Sequence, residues 1–265
     1  MTKKKLFFFD IDHTLYYNEQ KEIPSQTKKL LKQLSKNPNN VLGIATGRSY
    51  SGVSVLKGLM PLFQYFVVLN GAMTFRHDQI IQATPILQED VLKLNKKAYE
   101  KQIAIVNVEF RKKDILEQKD PDSQPLINND TLQIQEENKK IFHLSSFEKP
   151  IYKINLFHVN TAVIIDLLKN FPQLHAYFWK NGVVSLSAKQ INKAYGIKPV
   201  KKNYPNYQLI CVGDGCNDVE MFQSSNIAIV MNNTKYPDLK KIAHLVAPHI
   251  EENKLYDFFN THNLI

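Results

Sequence analysis

Leu6-Phe7-Phe8-Phe9-Asp10-Ile11-Asp12-His13-Thr14-Leu15 is the stretch on which the fold class turns. Its first four residues are all apolar, so a strand built from them has no face to offer water and must be covered on both sides. The strand ends in two carboxylates two positions apart, and alternation along an extended chain points Asp10 and Asp12 the same way. In an open α/β sheet, ligands bind at that carboxyl end. Two adjacent acids repel, so a shared proton or a cation must offset them. The pair predicts a metal-assisted site.

Outward from this strand, apolar runs alternate with helical patterns. Residues 24–36 place Leu30, Leu31 and Leu34 at helical spacing behind Pro24-Ser25. Residues 41–45 read as a strand, followed by a helical stretch after Ser49. Residues 65–69 form another buried strand, closed by the turn Asn70-Gly71 and a hairpin from Phe75 to Ile81. The rhythm returns in residues 209–212, 227–231 and 243–247, with a last helix near 251–260. Such near-continuous apolar strands separated by helices predict an α/β fold with a doubly wound, Rossmann-like parallel core.

The middle differs. Residues 86–101 form an amphipathic helix and 103–108 a strand. Residues 111–149 are polar, irregular and rich in Asp, Asn, Gln and Pro. Residues 151–159 alternate as a half-exposed antiparallel strand does. A helix follows at 161–170, then strands at 174–179 and 183–186, joined across Lys180-Asn181-Gly182. The expected domains are core residues 1–82, an inserted α+β unit at 83–186, and core residues 187–265.

Composition narrows the function. With 265 residues, 43% of them hydrophobic, the chain can fill a core, and no apolar run approaches the roughly 20 residues of a membrane span. The apolar run after Met1-Thr2-Lys3-Lys4-Lys5 is too short for a signal segment. Two cysteines, Cys211 and Cys216, make neither a disulfide framework nor a metal cluster. A cytoplasmic protein with no membrane partner is expected. The net charge of +9 comes almost wholly from Lys, since Arg48, Arg76 and Arg111 are the only arginines. No basic run with interleaved aromatics accompanies it, so no nucleic-acid partner is expected.

Three further clusters carry chemistry. Thr46-Gly47-Arg48 follows the strand at 41–45, where a hydroxyl and a backbone N–H at a helix N-terminus can cradle phosphate. Gly213-Asp214-Gly215-Cys216-Asn217-Asp218 follows the strand at 209–212; its glycines permit close backbone approach and its oxygen donors suit a hard cation. Lys193 opens a helical segment ahead of that strand, and Lys189 competes for its duty.

At these residues the sequence resembles the haloacid dehalogenase superfamily of phosphohydrolases. Residues 10–15 look like its first motif, Thr46-Gly47-Arg48 its second, Lys193 its third and Gly213-Asp214 with Asn217-Asp218 its fourth, in the family's order. Leu69-Asn70-Gly71-Ala72 and residues 226–231 are similar to the Cof-type branch, whose type IIB αβ cap lies between the second and third motifs and selects the leaving group. The resemblance implies a Mg²⁺-dependent phosphatase for small phosphorylated metabolites such as sugar phosphates. Asp10 would be the nucleophile, ionised at neutral pH as an unperturbed Asp is. Asp12 would be the general acid and base. Mg²⁺ would lie on the Asp10 and Asp214 carboxylates and the Asp12 carbonyl. Ile11, Thr46, Gly47, Lys193 and Asn217 would bind the phosphate, with Arg48 and Asp218 behind them. Asp218 would orient the metal's waters or brace Lys193.

His13, Ala194 and Asn232 stand where the family usually has Gly, and His13 puts the local backbone in question. Arg111, Asn155, His158 and Trp179 are candidate leaving-group contacts in the cap. Two other functions fit the same motifs: a phosphotransferase or phosphomutase of the superfamily, and a non-catalytic phosphometabolite-binding regulator. The latter would lose the carboxylates that are present here.

Overall fold

The structure is a computed structural model that describes residues 4–77, 79–109, 113–115, 149–179 and 182–265. The first half of the core runs β1 (Lys5–Phe9), α1 (Ser25–Lys36), β2 (Asn40–Ala45), β3 (Tyr65–Val68), β4 (Met73–Arg76) and β5 (Gln79–Ala83). The inserted segment follows as α2 (Gln88–Glu100), β6 (Ala104–Val108), β7 (Lys113–Ile115), β8 (Lys153–Phe157), α3 (Thr161–Leu168), β9 (Leu174–Phe178) and β10 (Val184–Ala188). The chain then adds α4 (Lys193–Lys202), β11 (Gln208–Gly213), α5 (Val219–Ser224), β12 (Ile227–Met231), α6 (Leu239–Ile242), β13 (Leu245–Ala247) and α7 (Leu255–Thr261).

Two compact units result. One comprises Met1–Arg48, Val53–Ala83 and Asn192–Ile265; the other comprises Ser49–Gly52 and Thr84–Ile191. The second unit runs a few residues past 186 because β10 stays paired with β9 through Ala188, opposite Leu174.

The first unit is an eight-stranded sheet in the order β13-β12-β11-β1-β2-β3-β4-β5. Its strands are parallel from β13 to β3, and the hairpin of β4 and β5 extends it antiparallel. Strand β1 is covered on both faces, as its composition requires. Leu6 and Phe8 pack with Ile197, Val200, Met221 and Phe222. On the other side Phe7 and Phe9 each lie 6.3 Å from the Phe259 ring. The Leu6, Phe7, Phe8 and Phe9 side chains are fully buried, each contributing roughly 2 kcal/mol of hydrophobic stabilisation.

Register now sets the site. Phe9 pairs with Ile44 on one side and Val212 on the other. The residues that follow each strand therefore emerge together, bringing the loops of Asp10, Thr46 and Asp214 to one sheet edge.

The stretch after Ser49 departs from a regular helix: Ser51–Leu62 is 3₁₀, broken at Lys57 with φ 47°. Gly52, Gly58 and Pro61 weaken any longer α-helix there.

The second unit is a five-stranded antiparallel sheet, β7-β6-β8-β10-β9. Ile105, Ile154, Leu156, Val184 and Leu186 pack with Val91, Leu94, Ala98, Ile164 and Leu167 of α2 and α3. Asn155, Ser185 and Trp179 form a polar chain: the indole N–H donates to Ser185 Oγ at 2.8 Å, and Ser185 donates to Asn155 Oδ1 at 2.7 Å. Among the described residues no helix is long and apolar enough to cross a membrane.

Candidate active site

Asp10 is nearly buried, and its backbone N–H extends the β1 ladder to the Val212 carbonyl at 2.9 Å. The chain then turns sharply. The Ile11 carbonyl accepts from Leu15 and Tyr16 at 2.9 and 2.8 Å, and His13 N–H donates to the Tyr16 carbonyl at 2.8 Å. Among the described residues no acceptor takes the Ile11 N–H. This turn puts His13 at φ 54°, the left-handed region that glycine enters freely and other residues enter at about 1 kcal/mol or more. His13 thus keeps the backbone a glycine would adopt. Asn232 does not use left-handed backbone, and Ala194 sits inside α4.

Lys193 begins α4 behind an Asn192 cap whose side chain accepts from Tyr195 N–H at 2.8 Å. The helix comes close to the sheet edge because Gly196 lies against Gly71. Gly71 has φ 98° and no room for a Cβ beside the Asn192 carbonyl. Lys193 is fully buried, and its Nζ donates to Asp10 Oδ1 at 2.7 Å and to Asp218 Oδ1 at 2.6 Å. Lys189 is exposed in the second unit, so Lys193 holds the position for which the two compete.

Both oxygens of Asp218 are engaged. Oδ1 takes Lys193, while Oδ2 accepts from Asp214 N–H at 2.9 Å and Gly215 N–H at 2.8 Å. A side chain at Gly213 would collide with that carboxylate, which is why the strand ends in glycine. Asp214 in turn lies 3.5 Å from the buried Thr14 hydroxyl.

On the other flank, the buried Thr46 hydroxyl accepts from Arg48 N–H at 3.1 Å and closes the turn around Gly47. Arg48 reaches Asp12 with a fork, Nε to Oδ2 at 2.8 Å and Nη2 to Oδ1 at 2.6 Å. Asn18 adds a bond to Oδ1 at 2.8 Å. Asn217 donates through Nδ2 to Asn70 Oδ1 at 2.8 Å, and Asn70 stands beside Gly47. Leu69, Asn70 and Gly71 all have positive φ (54°, 56° and 98°). Glycine enters this region freely and asparagine tolerates it, so the strain falls on Leu69.

The electrostatics follow from burial. Burial pushes Asp10 up to about 7, with the Asp218 and Asp12 charges adding and Lys193 opposing. The 2.7 Å bond from the buried Lys193 ammonium opposes that rise and favours the ionised carboxylate. Burial and the neighbouring Asp10 charge also raise Asp214 well above the usual range. Burial alone would raise Asp12, but the bonds and charge of Arg48, with Asn18, hold it below the usual range. Lys193 goes up despite burial because Asp10 and Asp218 flank it.

Four acids here face two cations, Lys193 and Arg48. Asp10, Asp214 and Asp218 each bring a carboxylate oxygen within 4.8 Å of the others. A crowded, all-oxygen set in which Asp10 and Asp214 are both raised suits a hard divalent cation. Asp218 is already committed to Lys193 and two backbone amides, which leaves Asp10 and Asp214 as the carboxylates able to ligate it.

The structure thus brings Asp10, Ile11, Asp12, Thr46, Gly47, Arg48, Lys193, Asp214, Asn217 and Asp218 to one edge of one unit. The cap candidates fare differently. Asn155 is buried in the Ser185 chain, and His158 accepts from Asn160 N–H at 2.9 Å in the turn before α3. Trp179 uses its N–H on Ser185, and Arg111 lies outside the described residues. Asn70 was legible only as part of Asn70-Gly71; its tie to Asn217 spans 147 positions.

Comparison with known proteins agrees with this geometry. YkrA of Bacillus subtilis (strain 168), provisionally named a phosphatase, is 27% identical over 94% of this chain and 94% of its own. The subclass IIB sugar phosphatase BT4131 superposes with a TM-score of 0.84 at 24% identity, covering 98% of this chain and 100% of that one. BT1666 from Bacteroides thetaiotaomicron, from a study of phosphatases, gives a TM-score of 0.86 at 19% identity, covering 99% and 96%. The haloacid dehalogenase-like hydrolase profile matches residues 7–259, and the chain belongs to that family.

Proposed function

We propose that the protein hydrolyses phosphate monoesters of small metabolites, sugar phosphates foremost, through a phosphoryl group carried on Asp10. The observation that carries this reading is the placement of Asp10 between Lys193 and the acids of the Asp214 loop, beside the Thr46-Gly47 turn. The names of YkrA and BT4131 support it.

In the first half-reaction an Asp10 oxygen attacks phosphorus, the bond from phosphorus to the leaving oxygen breaks, and Asp12 gives that oxygen a proton. In the second, Asp12 takes a proton from water, whose oxygen attacks phosphorus and releases Asp10 and inorganic phosphate. Lys193, Thr46, Asn217 and the Ile11 and Gly47 amides hold the phosphate oxygens. Mg²⁺, held by Asp10, Asp214 and the Asp12 carbonyl, would neutralise charge between the carboxylates and the phosphate. Lys193 and the cation also favour the ionised Asp10 that attack requires.

The Arg48 fork assigns Asp12 a resting state. A carboxylate receiving two guanidinium bonds is ionised and cannot act as an acid. The acid step therefore requires the fork to open and Asp12 to take up a proton from solvent, which the later step from water returns to it. Choice of leaving group belongs to the inserted unit.

The test is a panel of phosphorylated metabolites scored for phosphate release, with and without Mg²⁺. Cation-dependent release that disappears in Asp10→Asn supports the proposal; equal release by Asp10→Asn contradicts it. Product analysis with sugar acceptors separates hydrolysis from phosphoryl transfer.

A further inference from the structure

The loop after β12 touches both acid-bearing loops. Asn233 Nδ2 donates to the His13 carbonyl at 2.8 Å, one residue past Asp12, and its Oδ1 accepts from Ile250 N–H at 2.9 Å. The next residue, Thr234, donates its hydroxyl to the Asp214 carbonyl at 2.6 Å and accepts from Tyr236 N–H at 3.0 Å. Strand order explains the reach. β12 neighbours β11, which neighbours β1, so the loop after β12 passes the Asp214 loop to meet the Asp12 loop.

We infer that Asn233 and Thr234 are positioning residues that hold the Asp10–Asp12 loop and the Asp214 loop at the separation a shared divalent cation needs. This rests on the reading of Asp10, the Asp12 carbonyl and Asp214 as its ligands. Asp10, Asp12 and Asp214 repel one another, and burial strengthens that repulsion. Lys193 bridges the loops through the Asp10 and Asp218 side chains, and the bonds of Asn233 and Thr234 oppose their separation at the backbone. The tie must attach to backbone, because the carboxylates are needed for chemistry, and both bonds do end on main-chain carbonyls. Each side chain is itself fixed by a second bond, to Ile250 or Tyr236, so neither can swing with the loop it holds. His13 makes the tie at Asn233 more important, since its left-handed backbone costs energy that a glycine would not.

The experiment titrates Mg²⁺ into the full chain by calorimetry, alongside the melting temperature of the metal-free protein. Thr234→Val deletes the donor to Asp214. Asn233→Asp keeps an acceptor for Ile250 but cannot donate to His13. Supporting partners of metal ligands typically contribute 10–100-fold in affinity, so each variant is expected to weaken Mg²⁺ binding by about 10-fold or more. Thr234→Ser, which restores the hydroxyl, is expected to recover most of it. Parental Mg²⁺ affinity in both Thr234→Val and Asn233→Asp overturns the inference, as does Thr234→Ser binding no better than Thr234→Val. If Thr234→Val does not fold, parental affinity in Asn233→Asp alone overturns it. A parent that binds no Mg²⁺ removes the reading of the acids and the inference with it; a parent that binds beside unaltered variants removes the inference alone.

Discussion

Arg48 grips Asp12 with two bonds, 2.8 and 2.6 Å long, although the two residues are 36 positions apart. The grip explains why Asp12 and Asp10, two residues apart at one strand end, titrate in opposite directions. At Asp12 the bonds and charge of Arg48 outweigh burial, whereas at Asp10 burial outweighs the pull of Lys193, which Asp10 shares with Asp218. One motif thus yields a poised nucleophile and a parked proton carrier.

Removing Arg48 tests that division. Arg48 lowers the Asp12 pKa, so Arg48→Ala should raise it and move the associated limb of the kcat/KM profile to higher pH. General acid–base catalysis is worth about 10²–10⁴-fold, and loss of its orientation should cost about 10-fold or more in kcat/KM. Arg48→Lys keeps the charge but not the fork and should fall between. A pH profile unchanged in Arg48→Ala would contradict the role given to this pair.

The Asn70–Asn217 bond supports the phosphate side. Asn70→Asp preserves an acceptor for Asn217 but places a negative charge beside Gly47, where the phosphate should lie. Substrate KM should rise by about 10-fold, more than in Asn70→Ala, since the cost is repulsion rather than a lost neutral bond. Steady-state kinetics on one phosphate ester decide it. A smaller effect for Asp than for Ala would remove Asn70 from the phosphate pocket.

Stability of the metal-free protein should depend on pH with a definite sign. Asp10 rises from 3.8 to about 7 on folding, and Asp214 also moves up. Between those values the folded state binds more protons than the unfolded chain, so the stability that these two groups contribute is full below about pH 4 and is lost as pH rises through about 7. The lowered Asp12 has the opposite sign, but acts only in acid below its ordinary range. Melting temperature should therefore fall from about pH 5 to about pH 8, and saturating Mg²⁺ should flatten the fall. A metal-free melting temperature that climbs over this window would contradict the electrostatic account.

Lys193 makes the matching prediction at the centre of the cluster. Lys193→Met leaves Asp10 and Asp218 buried and uncompensated, and breaking such a pair typically costs about 3–5 kcal/mol. Urea unfolding should show a loss of that order above neutral pH and a smaller loss near pH 5, where Asp10 is already protonated. A loss under about 1 kcal/mol at both would mean the cluster is solvated.

The legible parts of the molecule were those with local signatures. Apolar runs reveal β1, β2, β3 and β11, and turn glycines mark the loops that follow them. The α+β composition of residues 86–186 separates the inserted unit. What stayed hidden depends on tertiary register. The 3₁₀ path after Ser49 has no period of its own. The left-handed run through Leu69 is set by what Asn70 must reach, and Leu69 is a poor residue for that backbone. The raised Asp10 follows from burial, which a motif does not display. Asn233 and Thr234 act on carbonyls of residues 220 and 20 positions away, so only the fold brings them to the acids.

The central claim is that Asp10 carries the phosphoryl group. Its most direct test mixes the protein with a phosphate ester and Mg²⁺, quenches within a turnover, and treats the mixture with borohydride. An acyl phosphate is reduced to the alcohol, so peptide mass spectrometry should find homoserine in place of Asp10, and in no other acidic position. Phosphate release at full rate with Asp10 unreduced, or reduction at Asp12, Asp214 or Asp218 instead, would contradict the account.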